Sequence, residues 1–125
     1  MNRDMYKDRI LAHYRNPLNY GGLDNADYSH TGVNPSCGDE ISVDVQVQNG
    51  TITDIGFTGD GCAISMASAS LVTEELTGAE LDRIQTLDRD EVLELLEIEL
   101  TPMRVKCAIL IEKVLTDAIS QCSDE

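Results

Sequence analysis

The residues of this sequence best suited to chemistry are its four cysteines, Cys37, Cys62, Cys107 and Cys122. Successive cysteines are 25, 45 and 15 residues apart, and no two of them form a Cys-X-X-Cys pair. This spacing matches neither a zinc ribbon nor a thioredoxin-type motif. Structural disulfides are uncommon in a reducing compartment. The thiols are therefore bystanders, nucleophiles or metal ligands, and their neighbours decide between these roles.

Cys37 lies in the loop-like segment NPSCGDE at 34–40, where Gly38 and Asp39 follow it. Gly38 can adopt backbone angles that other residues avoid, so this turn can direct a thiolate and a carboxylate at one point. The same segment is also typical of a partly buried loop cysteine beside a solvated aspartate.

Cys62 follows FTGDG and opens a predicted helix. The unpaired N–H groups and the positive dipole end of a helix stabilise a thiolate, which favours reactivity or metal binding. The alternative is a small buried residue beneath the helix start, because Ala63, Ala67 and Ala69 follow it on the same helix.

Cys107 lies near the start of the last predicted helix, between Arg104 and Lys106 on one side and an apolar run on the other. Nearby cations favour the thiolate, whereas the apolar run is typical of a core cysteine. Cys122 would lie about 22 Å further along one continuous helix, so it is predicted to be a bystander. His13 and His30 lack ligand spacing and are predicted to be structural or surface residues.

A β-hairpin is the clearest element that could position these residues. The apolar residues of ISVDVQVQ at 41–48 alternate with polar ones, and Asn49-Gly50 separates this segment from TITDIGF at 51–57. That pattern predicts two antiparallel strands joined by a type I′ turn. One face of the hairpin is apolar and must be covered by the helices that follow.

The remaining elements complete an α+β domain. An edge strand is predicted at 28–33, and helices are predicted at 4–16, 62–76, 88–99 and 102 to about 120. We expect a small antiparallel sheet with the helices packed on one face. Neither repeats nor linkers interrupt the chain, so residues 1–125 are expected to form a single domain.

The composition excludes several classes of protein. With 125 residues and a net charge of −14, a multidomain enzyme is excluded, and nucleic acid and anionic membranes are not expected partners. No apolar segment approaches the ~20 residues that span a bilayer, and the N-terminus lacks a signal-peptide core, which predicts a cytoplasmic protein. The acidic segment 74–100 is interpreted as a solvated surface or, alternatively, a docking face for a basic partner.

Four segments together resemble the IscU/SufU/NifU-type iron-sulfur cluster scaffolds. They are HYRNPLNYGGLD at 13–24, NPSCGDEISVDV at 34–45, GDGCAISMASASLVTEELTG at 59–78 and LTPMRVKCAIL at 100–110. The resemblance covers residues 5–120 and implies a three-stranded antiparallel sheet packed against helices. It implies that Cys37, Cys62 and Cys107 are the cluster cysteines and that Asp39 is the nearby aspartate. Cys122 has no counterpart among the family's ligands.

The resemblance implies a non-enzymatic scaffold that takes iron, and sulfur from a cysteine desulfurase, and builds a labile [2Fe-2S] cluster for apo iron-sulfur acceptor proteins. Three thiolates and a carboxylate also suit tetrahedral Zn²⁺. The alternative function is therefore a zinc-dependent sulfur acceptor of the SufU type, which stimulates the desulfurase. Cys107 is the expected persulfide acceptor, although the sequence does not separate it from Cys62. An acidic structural module without metal is a third interpretation.

Two departures leave the subfamily open. Lys106 precedes the third cysteine, as in SufU-type members, where IscU-type scaffolds carry histidine; yet the SufU-type insertion between the second and third cysteines is absent. The Leu-Pro-Pro-Val-Lys segment recognised by a chaperone in IscU-type scaffolds is replaced by residues 100–104, LTPMR. This replacement argues against an Hsp70-type chaperone as a partner.

Overall fold

A computed structural model describes residues 2–35, 38–97 and 100–123, and describes side chains within those ranges from residue 8 to residue 120 except at Met103. Three antiparallel strands form one sheet in the order β1-β2-β3. The elements in chain order are α1 (Asn2–Arg15), β1 (Tyr28–Asn34), β2 (Asp39–Gln48), β3 (Thr51–Asp60), α2 (Ala63–Leu76), α3 (Asp82–Thr86), α4 (Arg89–Leu96), α5 (Pro102–Ala108) and α6 (Leu110–Ser123).

The β2–β3 hairpin confirms the predicted turn. Asn49 and Gly50 have φ angles of 56° and 80°, and positive φ at both central residues is the defining feature of a type I′ turn. Both strands are longer than predicted, because β2 begins at Asp39 and β3 continues to Asp60. As a result, the open end of the hairpin brings the Asp39 end of β2 beside the segment that leads into α2.

Two apolar clusters hold the helices in place. The larger one joins the apolar face of the sheet, including Ile41, Val43 and Val45, to α2 and α6. The smaller one lies between α1, α2, α4 and α5, and its members are Ile10, Ile64, Ala67, Leu71, Leu96, Cys107 and Ala108. The predicted α+β architecture is therefore confirmed, and Cys107 belongs to the core that fixes α5 against α2.

The last predicted helix is in fact two helices. α5 ends at Ala108, Ile109 leaves helical geometry with φ −91° and ψ 2°, and α6 begins at Leu110. The break lets α5 pack on α2 and α4 while α6 packs on the sheet. The prediction of one continuous helix was wrong because residues 102–120 have a continuous apolar pattern that does not reveal a change of packing partner.

Both histidines contact neighbouring elements, in agreement with their predicted structural roles. The Nδ1 atom of His13 lies 2.7 Å from Ser70 Oγ, which also accepts the Leu18 N–H at 2.8 Å. Burial and the nearby Arg9 lower the pKa of His13, against a weaker opposing effect of Glu74. His30 Nε2 lies 3.9 Å from Asp117 Oδ2.

Among the described residues, no helix combines the length and apolar character needed to cross a membrane.

Candidate metal centre

Three of the four predicted ligands meet at one point. Asp39, Cys62 and Cys107 each offer a ligand atom, and these atoms all lie within 4.8 Å of one another. Asp39 and Cys107 are 4% and 2% exposed, whereas Cys62 is half-buried. Cys37 lies outside the described residues, as does the side chain of Cys122, so their roles as ligand and bystander stay predictions.

The hairpin explains why Asp39 and Cys62 are close. Glu40 pairs with Asp60 across the strands, so the residue before Glu40 and the residues after Asp60 share one end of the sheet. Two glycines permit the close approach. A Cβ atom at Gly59 would lie 2.5 Å from the Glu40 carbonyl oxygen, and one at Gly61 would lie 3.0 Å from Asp39 Cγ.

The carboxylate of Asp39 occupies the start of α2. Its Oδ1 accepts the backbone N–H of Cys62 at 3.1 Å, and its Oδ2 lies 3.6 Å from Cys62 Sγ. The side chain of Cys62 makes no capping hydrogen bond to this helix, so the carboxylate satisfies a backbone donor that the helix leaves unpaired. The positive end of the helix therefore acts on Asp39 as well as on the Cys62 thiol, which the sequence did not indicate.

Cys107 reaches the site from the core. Its thiol lies 4.0 Å from the Asn34 Nδ2 donor, and its side chain belongs to the smaller apolar cluster. The side chains of Arg104 and Lys106 are exposed, and Lys106 lines a surface groove with Lys113. Of the two alternatives for Cys107, the core position is observed, and the side chains of its cationic neighbours in sequence are at the surface.

Two buried polar residues beside the site are not identified by the sequence. Asn34 and Ser65 are 7% and 0% exposed, and Ser65 Oγ donates to Asp39 Oδ2. The signal for Ser65 is its position three residues after Cys62, which places both side chains on one face of a helix. By sequence pattern alone, the serines and alanines of α2 indicate only small residues for close packing.

The donor set fits a soft or borderline metal. Tetrahedral Zn²⁺ has Zn–S distances of about 2.3 Å, which separates neighbouring ligand atoms by about 3.7 Å. The observed upper limit of 4.8 Å requires only a small contraction. Thiolates select zinc, copper(I) and iron-sulfur clusters over the hard cations. These three side chains can therefore hold zinc or iron, with one coordination position left for a further ligand.

We expect Gly61→Ala to weaken metal binding without unfolding the chain. The new methyl group would lie 3.0 to 3.2 Å from the Cβ, Cγ and Oδ1 atoms of Asp39, and the carboxylate must move to relieve this contact. Changing a residue that supports a metal ligand typically costs about 10- to 100-fold in affinity, which competition with a zinc chelator would measure. Circular dichroism should report an intact fold, and an unchanged zinc affinity would contradict the placement of Asp39 in the site.

The sequence is similar to a family of known proteins over nearly its whole length. The family model described as the NifU-like N terminal domain matches residues 5–124. The iron-sulfur cluster assembly scaffold protein IscU of Escherichia coli (strain K12) is 37% identical over 120 residues, which cover 92% of this chain and 91% of that protein. The zinc-dependent sulfurtransferase SufU of Bacillus subtilis (strain 168) is 32% identical, with coverage of 94% and 90%.

A solved structure shares the fold. The crystal structure of a putative iron-sulfur cluster assembly scaffold protein for the SUF system from Fervidobacterium islandicum AW-1 superposes with a TM-score of 0.76. Its sequence is 27% identical, and the superposition covers 95% of this chain and 99% of that one.

Proposed function

Since the chain belongs to the family of NifU-like N-terminal domains, we propose that it is a single-domain iron-sulfur cluster assembly scaffold. It receives iron, and sulfur from a cysteine desulfurase, and assembles a [2Fe-2S] cluster that it passes to apo iron-sulfur proteins. The protein itself catalyses no reaction on a small substrate in this role. The reducing environment that its thiols require suits the cytoplasm.

One observation carries this proposal. A buried carboxylate and two thiols, from segments distant in sequence, lie within 4.8 Å of one another. We propose that Cys37, two residues before Asp39 in the sequence, completes the set with Asp39, Cys62 and Cys107. Three thiolates favour an iron-sulfur cluster as the cargo.

The carboxylate makes the site suited to release as well as to assembly. A carboxylate oxygen is a harder ligand than a thiolate and a poorer match for cluster iron. When Asp39 leaves the metal, the backbone N–H of Cys62 still donates to its Oδ1 and stabilises its negative charge. This hydrogen bond offsets part of the cost of breaking the metal–oxygen contact, so the cluster can depart with a smaller penalty.

A second function is a zinc-dependent sulfur relay. It is favoured by the Asp39, Cys62 and Cys107 donor set, which suits zinc, and by Lys106 before the third cysteine. Cys107 is the proposed acceptor: its thiolate attacks the outer sulfur of the desulfurase persulfide, an S–S bond forms on Cys107, and the desulfurase cysteine leaves as a thiolate. Because Cys107 is only 2% exposed, this transfer requires the residues that cover its thiol to move when the desulfurase docks.

Reconstitution distinguishes the two functions. Anaerobic incubation with iron, cysteine and a cysteine desulfurase should give a brown protein with the charge-transfer absorption of a [2Fe-2S] cluster. A protein that stays colourless, while its zinc form stimulates desulfurase turnover several-fold, would show the relay instead. If neither colour nor stimulation is seen, both functions are wrong and the acidic structural module remains.

A further inference from the structure

Ser65 lies beneath the candidate metal centre and contacts all three described ligand residues. It is 0% exposed, and its Oγ lies 3.7 Å from Cys62 Sγ and 3.1 Å from the Cys107 carbonyl oxygen. The same hydroxyl donates a hydrogen bond to Asp39 Oδ2. Because Ser65 comes one helical turn after Cys62, α2 fixes the distance between these two side chains.

The Ser65 hydroxyl can donate to only one of its neighbouring acceptors at a time. A serine has one O–H proton, and hydrogen bonds to a carboxylate are stronger than those to a neutral carbonyl. The proton therefore goes to Asp39 Oδ2, while the Cys62 N–H holds Oδ1 at 3.1 Å. With a donor on each oxygen, the carboxylate cannot rotate freely about its Cβ–Cγ bond. Each oxygen still has a second lone pair for a metal.

We propose that Ser65 is a positioning residue that orients the Asp39 carboxylate toward the Cys62 and Cys107 thiols for metal binding. The proposal rests on the ligand role of Asp39 in the proposed function. The Cys107 carbonyl oxygen, 3.1 Å from the same hydroxyl, is a second acceptor within reach of it.

The chain contains a matched control for this role. Ser68 lies one turn further along α2, is 1% exposed, and donates to the Ala108 carbonyl oxygen at 2.5 Å. Ser65 and Ser68 thus both connect α2 to a carbonyl group of α5. The two serines differ in one respect among the hydrogen bonds of the described residues. Ser65 donates to the Asp39 carboxylate, and Ser68 does not. Loss of the connection between the helices and loss of carboxylate orientation can therefore be measured separately.

The experiment is chelator competition for Zn²⁺ under anaerobic, thiol-free conditions, performed on the wild type and on Ser65→Ala, Ser68→Ala, Asp39→Ala and the Ser65→Ala/Asp39→Ala double variant. Loss of a residue that orients a metal ligand costs about 10- to 100-fold in affinity. We expect Ser65→Ala to weaken zinc binding about tenfold and Ser68→Ala to leave it unchanged. The double variant should bind zinc as Asp39→Ala does, because Ser65 acts through Asp39.

Several results would overturn this role. They are a wild-type affinity in Ser65→Ala, an equal loss in Ser68→Ala, and a further loss when Ser65→Ala is added to Asp39→Ala. Thermal unfolding of the metal-free proteins should show that both serine variants fold, with the larger loss of stability in Ser65→Ala, because its lost hydrogen bond goes to a carboxylate. Ser65→Thr restores the hydroxyl and should recover most of the affinity. Alanine has the highest helix propensity, so Ser65→Ala is expected to keep α2 folded.

The result is independent of the test of the proposed function. Zinc competition uses neither a desulfurase nor a cluster, so a failed reconstitution would leave the Ser65 measurement valid. Conversely, a protein that assembles clusters but whose zinc affinity is insensitive to Ser65→Ala would refute only the positioning role.

Discussion

Cys107→Ser is expected to abolish retention of metal during anaerobic purification and to prevent a cluster from accumulating in reconstitution. Structural zinc sites with four ligands bind with about 12 kcal/mol, or about 3 kcal/mol per ligand. Loss of one thiolate should then reduce affinity by at least about a hundredfold. Serine is close to cysteine in size, so the smaller apolar cluster around residue 107 should remain packed.

Metal analysis of the purified proteins measures this effect, and Cys122→Ser is its control. Cys122 is a predicted bystander, so its replacement should leave the metal content at the wild-type level. Cys62→Ser should behave like Cys107→Ser, because both thiols belong to the same group of ligand atoms. A Cys107→Ser protein that keeps its metal, or equal losses in the Cys107 and Cys122 variants, would show that the candidate metal centre is wrongly assigned.

The hairpin could be predicted from the sequence because its signals are local. Alternation from Ile41 to Val47 and the Asn49-Gly50 pair each specify the same backbone, and the structure follows both. Gly38, which the sequence marks as able to adopt angles that other residues avoid, has φ +77°. The proximity of Asp39 to Cys62 follows from the same local signals once the strand pairing is extended to the open end of the hairpin.

The position of Cys107 could not be predicted in the same way. It depends on how α5 packs against α2 and α4, and on the break at Ile109 that separates α5 from α6. No local pattern marks that break, since apolar residues continue through it. The resemblance to cluster scaffolds supplies the expectation that Cys107 joins Asp39 and Cys62, and tertiary packing provides the physical reason. Ser65 could not be identified from the sequence, because a small residue in α2 can serve either close packing or hydrogen bonding.

Two carboxylates of the acidic segment 74–100 form ion pairs with arginines, which its strongly negative charge does not indicate. Arg83 forms an ion pair with Glu91, and the hydrogen bond to this carboxylate is the main reason that the pKa of Arg83 is raised. Arg9 of α1 pairs with Glu97 in the same way. Both pairs are partly exposed and each stabilises the fold by less than about 1 kcal/mol. Most of the described acidic side chains of the segment face solvent, which fits both a solvated surface and a docking face for a basic partner.

Asp39→Ala is expected to slow cluster release to an apo-acceptor about tenfold, which corresponds to about 1.4 kcal/mol in the barrier to release. The carboxylate is the hardest of the proposed ligands, so its contact with iron should break first. With alanine at position 39, a small thiol from solution can take the open position, and a thiolate holds cluster iron more firmly than a carboxylate does. The same change weakens zinc binding in thiol-free buffer, because no replacement ligand is present there.

Transfer of the cluster to an apo-ferredoxin, followed by visible circular dichroism, would measure the release rate. Asp60→Ala is the matched control, because Asp60 is an exposed aspartate at the same end of the hairpin, opposite Glu40. It should release the cluster at the wild-type rate. Equal rates in the wild type and Asp39→Ala would remove the carboxylate from the release step, and equal slowing in Asp60→Ala would assign the effect to local negative charge. If cluster release is slowed in Asp39→Ala alone, the carboxylate must act from within the candidate metal centre, where the Cys62 N–H and the Ser65 hydroxyl hold it.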